Sequence, residues 1–347
     1  MLSAAPALDH HDTGVRHPER PERVIAALAG IDDAGLRDAV VDLAPRRALP
    51  DELTRVHPQD YLDSVEAFCR SGGGAIDPDT TVGPGSWDTA LLAAGGVLAA
   101  IEGLEAGRGE TAFVAARPPG HHALAEQSMG FCLINNIAVG AAALAERGER
   151  VLIVDFDVHH GNGTQAIFWN DPRVLYISTH EWPLYPGTGR AEETGGPGAP
   201  GLTMNVPLPA GATGDVLLRA ADELMAPAVE NFDPTWVLVS AGFDAHRADP
   251  LAQLRLTAGD FADLMGRIRG FAPAPGRTVV VLEGGYDLDA LRLSVGATLA
   301  RVLDRAYRPE QSSAGGPGGF AIDAVHRVFA ETPPFQRSEA PPSTDRT

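Results

Sequence analysis

Asp157 and His159 stand two residues apart in the run DFDVHHGNG, and residues i and i+2 of an extended chain point to the same side. One carboxylate and one imidazole so placed can reach a common metal ion. Asp244, in the run SAGFDAH, offers a third ligand from elsewhere in the chain. Three N/O ligands with an open position suit a catalytic zinc site, where water or substrate takes the remaining place. The competing reading makes these residues capping aspartates and surface histidines. Two carboxylates and one histidine cancel the formal charge of Zn²⁺, so bound water is acidified less than by three histidines, and a separate base is required. His121-His122, in RPPGHH, is the candidate, because imidazole titrates near neutral pH. Tyr286 follows two glycines, which let a loop approach a site closely, and its phenol can donate to an oxyanion. Asp155 faces the same side as Asp157. It reads as a buried acceptor that orients a histidine or binds a monovalent cation, or more plainly as a loop-end hydrogen bonder.

These residues need elements that carry them to one place. Short β-branched or apolar runs end just before each group: Thr111–Ala115, Val151–Val154, Val174–Ser178, Trp236–Ser240 and Thr278–Leu282. Helical patterns alternate with them at Leu133–Arg147, Asp215–Phe232, Thr257–Phe271 and Ala290–Ala306. Thr257 and Asp260 form a capping-box variant. Pro58–Cys69 predicts a helix with proline at its first position, and Trp87–Ala106 another, weakened by Gly95-Gly96. Such alternation predicts a parallel sheet with helices on both faces, and ligands bind such sheets beyond the carboxyl ends of the strands. No linker divides the chain before residue 310, which predicts a single domain over residues 1–331, closing on a helix at Phe320–Glu331. The Pro-, Ser- and charge-rich residues 332–347 read as a disordered tail.

Composition narrows the classes. Hydrophobic residues make up 44% of the 347, enough for a sizeable core. Lys and Arg total 27 against 46 Asp and Glu, a net charge of −19, which argues against nucleic acid or an anionic membrane as partner. The two cysteines, Cys69 and Cys132, allow neither a disulfide framework nor a Cys-rich zinc site. The first residues, MLSAAPALDHHD, lack the basic and apolar regions of a secretory signal, and the apolar window Ala90–Ile101 is short for a membrane span. The expectation is a soluble cytoplasmic protein.

The ordered motifs HPERPER, RPPGHH, GFCLINN, DFDVHHGNGTQ, STH…YPGTG, SAGFDAHRADP and LEGGY resemble the histone deacetylase family, class II type, which includes bacterial deacetylase-like amidohydrolases and acetylpolyamine amidohydrolases. The likeness runs from about His17 to Pro309. It implies the arginase/deacetylase fold, a three-layer α/β/α domain with a mostly parallel central sheet. It implies Zn²⁺, one per chain, held by Asp157, His159 and Asp244, and an amide at the foot of a narrow tunnel. The metal and Tyr286 would polarise the acyl carbonyl for attack by water. His122 would serve as general base and then as acid, with His121 beside it backed by Asp155. Phe131 and Tyr185 would wall the tunnel, the Gly130 carbonyl would accept the substrate N–H, and Asp79 would grip the substrate backbone at the rim. Asp155 and Ser178, with backbone carbonyls near Asp157, His159 and Thr179, would form a structural K⁺ site.

Departures from the pattern inform substrate and mechanism. Asn162 stands where class I members carry aspartate, leaving His122 less readily protonated. Tyr185 replaces the commoner Phe. Leu251 stands where polyamine-specific members place a carboxylate, and the long N-terminal insertion of those members has no counterpart before HPERPER. Both points favour an acetylated lysine peptide or small acylated amine, with acetylpolyamine hydrolysis as the alternative. A homo-oligomer is compatible with the sequence. A binuclear Mn²⁺ ureohydrolase would need Asp where Gly161 stands, and a non-catalytic acyl-amine binding protein would not need His121, His122 and Tyr286 together.

Overall fold

The computed structural model describes residues 1–4 and 9–332. The expected disordered tail therefore lies, save for Thr332, outside the described residues. The chain runs β1 (Leu2–Ser3), α1 (Glu22–Asp33), β2 (Asp42–Leu43), α2 (Pro50–Leu53), α3 (Gln59–Arg70), β3 (Gly74–Ala75), β4 (Thr81–Val82), α4 (Ser86–Glu105), β5 (Thr111–Val114) and α5 (Asn136–Glu146). It continues through β6 (Val151–Asp155), α6 (Asn162–Phe168), β7 (Val174–Glu181), β8 (Thr203–Leu208), α7 (Gly214–Ala220), α8 (Ala226–Phe232), β9 (Trp236–Ala241), α9 (Ala258–Arg269), β10 (Thr278–Leu282), α10 (Leu288–Val302) and α11 (Gly319–Glu331).

Eight strands form one sheet in the order β2-β1-β5-β10-β9-β6-β7-β8, and every pairing in it is parallel. β3 and β4 make a separate antiparallel pair. Strand residues alternate between two cores, as a period of two requires. Leu152, Val154, Val237, Val239 and Val280 pack against α1, α7, α9 and α10. Val151, Ile153, Leu238, Val279 and Val281 pack against α3, α4 and α5. The result is three layers, α/β/α.

Several elements differ from expectation for physical reasons. β7 runs on to Glu181 because β8 pairs with it as far as Leu208. β8 itself carries Pro207, which an edge strand tolerates and which hides it from strand-like patterning. α4 runs unbroken through Gly95-Gly96, since a Cβ at Gly95 would lie 1.9 Å from the Arg46 carbonyl oxygen. Those glycines serve close approach rather than a break. α4 is also long and apolar enough to cross a membrane, but most of its residues are buried inside the protein. Pro58 precedes α3 as its N-cap, with an extended ψ of 147°, rather than opening the first turn. Gly214–Phe232 is continuous, α7 and α8 being joined by a π turn at Ala221–Met225. Thr257 accepts from the Asp260 amide, and Asp260 accepts from the Thr257 amide, completing the expected capping box.

Candidate active site

β5, β10, β9, β6 and β7 are consecutive neighbours in the sheet, so their carboxyl ends form one edge. The loops leaving that edge carry the chemistry. Asp157 and His159 follow β6, Asp244 follows β9, His121 and His122 follow β5, Tyr185 follows β7 and Tyr286 follows β10.

Asp157, His159 and Asp244 converge so that one ligand atom from each lies within 4.8 Å of the others, and they are the one such group of three found among the described residues. His159 Nδ1 stands 3.2 Å from Asp157 Oδ1 and 3.2 Å from Asp244 Oδ2. A single ring nitrogen holds one proton and can satisfy one of these carboxylates, so the pair of equal contacts marks a place for a cation. Tetrahedral zinc with bonds of about 2.0–2.2 Å sets its ligands roughly 3.3–3.6 Å apart, close to this spacing. The backbone orients the remaining carboxylate lone pairs. Asp157 Oδ1 accepts from the His159 amide (2.9 Å) and Oδ2 from the Gly284 amide (2.8 Å), while Asp244 Oδ1 accepts from the Val158 amide (2.9 Å). Burial and the neighbouring Asp157 carboxylate push Asp244 up to about 7. Burial would raise Asp157 too, but His121 and His159 outweigh it and hold Asp157 low. The donor set thus fits a divalent cation.

The two histidines beside this cradle are held differently. His121 Nδ1 lies 3.0 Å from Asp155 Oδ2, whose other oxygen accepts from the Asp157 amide. Burial opposes protonation of His121, yet the carboxylates of Asp157 and Asp155 push it up to about 10. A cation seated on Asp157 removes part of that push and leaves the Asp155 pairing. His122 Nδ1 lies 2.8 Å from Asn162 Oδ1, and the Asn162 amide nitrogen donates to the Met129 sulfur at 3.4 Å. That donation turns the Asn162 oxygen toward His122, so Nδ1 carries the proton and Nε2 is left unprotonated. Burial, with His121 and His159 nearby, holds His122 well below its ordinary value. Its ring centroid is 4.1 Å from that of His121.

Phe131 and Tyr185 stand over these groups. The Tyr185 ring lies edge-on to His122 (5.2 Å) and His159 (6.2 Å), and Phe131 edge-on to Tyr286 (5.7 Å). Phe131 takes a left-handed backbone, φ 68°, which follows Gly130 at φ 57°. Asp79 accepts from the Gly130 amide (3.0 Å) and from Thr80 (2.7 Å), and its carboxylate helps raise the Tyr185 phenol, after burial. The Cys132 thiol donates to the Gly130 carbonyl. Asp155 sits opposite Ser178 in the β6–β7 register, and Ser178 Oγ lies 2.9 Å from His180 Nδ1. Leu251 is half-buried, and its amide donates to Asp249 Oδ1 at 3.0 Å.

Some groups at the site carried no role in the sequence reading. Glu283 is fully buried. Its Oε2 accepts from the Gly120 (2.7 Å) and His121 (3.2 Å) amides and its Oε1 from Ser240 (3.0 Å). Burial pushes its carboxyl up to about 7. Asp249 Oδ2 accepts from the Tyr286 amide at 2.7 Å and so ties down the Tyr286 loop. The only sequence signal for either was its place inside a quoted motif, LEGGY or SAGFDAHRADP.

An all-parallel eight-stranded sheet covered by helices, with two carboxylates, an imidazole and a histidine pair at its carboxyl edge, is the arrangement of the arginase/deacetylase fold, and the three ligand atoms could hold a metal ion. Residues 17–302 match the histone deacetylase domain. The chain is 42% identical over 284 residues to a probable deacetylase of Archaeoglobus fulgidus, covering 80% of this chain and 79% of that one. It is 42% identical over 275 residues to a histone deacetylase-like amidohydrolase of Pseudomonas aeruginosa, covering 78% and 72%. The crystal structure of the HDA15 HD domain superposes with a TM-score of 0.87 at 34% identity, covering 95% of this chain and 96% of that one. The chain belongs to the histone deacetylase family, a family of deacetylases and amidohydrolases.

Proposed function

We propose that this protein is a zinc-dependent amidohydrolase that removes acetyl or other acyl groups from lysine side chains or small amines. The observation that carries the reading is the His159 nitrogen set 3.2 Å from two carboxylates, next to a histidine pair and the rings of Tyr185 and Phe131. Asp157, His159 and Asp244 would hold the zinc ion. Bound there, it supplies Lewis acidity to the scissile carbonyl and lowers the pKa of water.

The chain's own residues do the rest. His122 Nε2, unprotonated because Asn162 fixes the proton on Nδ1, takes the proton of the attacking water and returns it to the leaving amine. His121, paired with Asp155, keeps positive charge beside the reaction and favours neutral His122 at rest. Tyr286 keeps its phenol protonated, since burial holds its pKa well above 10, and donates to the developing oxyanion. Phe131 and Tyr185 shed water from the acyl-amine stem. The Gly130 carbonyl accepts the amide N–H, and Asp79 grips the substrate beyond the mouth. We propose the K⁺ site at Asp155 and Ser178 on the same basis, supported by their side-by-side register.

Leu251 supports an acylated lysine over a polyamine, for which a carboxylate would be placed there. Space disfavours a second metal in the ureohydrolase manner, because a Cβ at Gly161 would already lie 2.2 Å from Asp155 Oδ2. The test is a fluorogenic acetyl-lysine substrate offered to wild type, Asp157→Ala and Tyr286→Phe. A panel of acetyl-lysine peptides, longer acyl-lysines and acetylated polyamines accompanies it. Equal rates in all three proteins sink the mechanism, preference for polyamines defeats the substrate reading, and tight binding without turnover points to a binding protein.

A further inference from the structure

The run His17–Arg23 lies outside the metal cradle, yet it touches both loops that carry the proton-transfer and oxyanion groups. Glu19 is fully buried. Its Oε1 accepts from Arg117 Nε (2.5 Å) and Arg23 Nη1 (3.1 Å), and its Oε2 accepts from Arg117 Nη2 (2.6 Å) and faces His11 Nε2 at 3.5 Å. Arg117 opens the RPPGHH loop that ends on His122. Arg23, in the first turn of α1, holds the other loop. Its Nε donates to the Gly285 carbonyl at 2.6 Å, its Nη2 donates to the Glu283 carbonyl, and its guanidinium lies 4.8 Å from the Tyr286 ring centroid. The Glu283 side chain then returns to the first loop through the Gly120 and His121 amides. The contacts close a circuit: Arg117, Glu19, Arg23, the 283–286 backbone, and back to residues 120–121.

Charge makes Glu19 the indispensable member. Arg117 has a second carboxylate, Asp9, 2.7 Å from Nη1. Among the described residues Glu19 is the one carboxylate paired with Arg23. Removing one partner of a buried pair leaves the other charge uncompensated, and an uncompensated guanidinium relocates toward water or a new partner. Arg23 cannot move without releasing the carbonyls on either side of Gly284.

We infer that Glu19 is a positioning residue that couples the His122 loop to the Tyr286 loop by holding Arg117 and Arg23 on one carboxylate. Its effect falls on kcat rather than KM, because the Glu19 carboxylate bonds to the two arginines and to neither Phe131 nor Tyr185. The inference rests on the deacetylase reading for its kinetic consequence but not for its structural one. Two arms of one experiment separate them.

The first arm measures kcat and KM of the zinc-loaded protein on a fluorogenic acetyl-lysine peptide for wild type, Glu19→Gln, Tyr286→Phe and the double variant. Glu19→Gln should lower kcat by roughly a hundredfold, the cost of about an ångström of misplacement, with KM little changed. On the Tyr286→Phe background the same change should cost less than about threefold, since coupled residues are not additive. Equal losses on both backgrounds, or a loss confined to KM or to zinc content, overturn the inference. The second arm reads amide hydrogen exchange in full-length zinc-loaded protein and needs no substrate. Glu19→Gln should speed exchange in both 117–122 and 283–287. Faster exchange confined to 17–23, or spread over the whole fold, overturns the coupling. Should Glu19→Gln not fold, Arg23→Lys keeps the charge but loses the fork, and must reproduce the faster exchange at 283–287. Inactive wild type with coupled exchange sinks the deacetylase reading and leaves the coupling standing.

Discussion

Gly284 marks how little room the metal cradle leaves. Its φ is not in the left-handed region, so the glycine is demanded by space rather than by backbone conformation. A Cβ at position 284 would lie 2.0 Å from Asp244 Oδ2 and 2.5 Å from Asp157 Oδ2. Asp244 would have to retreat by about 1.4 Å to reach the 3.4 Å of ordinary contact. It is not free to do so, because Asp244 Oδ1 is held by the Val158 amide at 2.9 Å and Asp157 by the His159 amide at 2.9 Å. Metal–ligand distances tolerate about 0.2 Å. Gly284→Ala should therefore displace at least one carboxylate from any zinc ion and weaken binding by roughly a hundredfold or more, beyond what a supporting contact alone is worth. Zinc-to-protein ratio after desalting, and competition with a chelator of known affinity, read the change, while a melting curve shows that the chain is folded. Gly242→Ala, whose Cβ would meet Asp157 Oδ2 at 2.0 Å, should behave alike. If Gly284→Ala holds one zinc per chain at wild-type affinity, the three residues are not the metal site.

Tyr286→Phe should lower kcat by about 10²–10³ with KM nearly unchanged, measured on a fluorogenic acyl-lysine. Asn162→Asp places a negative charge about 4 Å from the His122 ring charge, worth ~4 kcal/mol at an effective dielectric of 20, so the His122 pKa rises by one to three units. With neutral His122 as the proposed base, the acid limb of the kcat/KM profile should move to higher pH; an unmoved limb refutes His122 as base. Chelation should abolish activity and lower the melting temperature, with both restored by Zn²⁺; activity that survives full zinc removal refutes metal dependence. His57 is buried, and burial lowers its pKa to about 4, while Nδ1 lies 3.0 Å from the Ala125 carbonyl oxygen and Nε2 accepts from the Asn135 amide. The unfolded chain takes up that proton near pH 6.5 and the folded chain does so only near 4, so stability falls as pH drops through this window, by about 2 kcal/mol at pH 5. Urea unfolding of wild type and His57→Gln at pH 7.5 and 5 should show that much less pH dependence in the variant; equal dependence refutes the assignment.

The sequence was most legible where periodicity and chemistry coincide. Thr278–Leu282 reads as a strand because four β-branched residues are followed by leucine, and the structure places those limits without change. The site residues were legible because their loops leave five strands that prove to be neighbours, a fact about sheet order that spacing alone does not contain. Two-residue strands such as Leu2–Ser3 and Asp42–Leu43 carry no period at all, and they form through pairing with β5 and with each other. Glu283 and Asp249 escaped notice for another reason. Each acts through backbone amides of distant loops, so nothing in its own neighbourhood of sequence signals the contact.

The acidic surplus of the chain, −19, looks different once the site is built. Asp155, Asp157, Asp244 and Glu283 are buried together, and burying four like charges unpaired is prohibitive. The fold settles each separately. Asp155 is neutralised by His121, which it pushes toward the charged form. Glu283, pushed up to about 7, can shed its charge by protonation on Oε1, with the Ser240 hydroxyl turning to accept and the two amides staying on Oε2. Asp157 and Asp244 remain, one held low and the other raised, with a single imidazole nitrogen between them. One proton on His159 matches one carboxylate, and the other must be protonated, as the raised Asp244 allows, or matched by a cation. A divalent cation between the three ligand atoms would balance both carboxylates and free His159 to bind as neutral imidazole. The same ion would therefore answer two demands: the electrostatic one of a buried acidic cluster, and, in the proposed mechanism, the chemical one of a water for His122 to deprotonate near neutral pH.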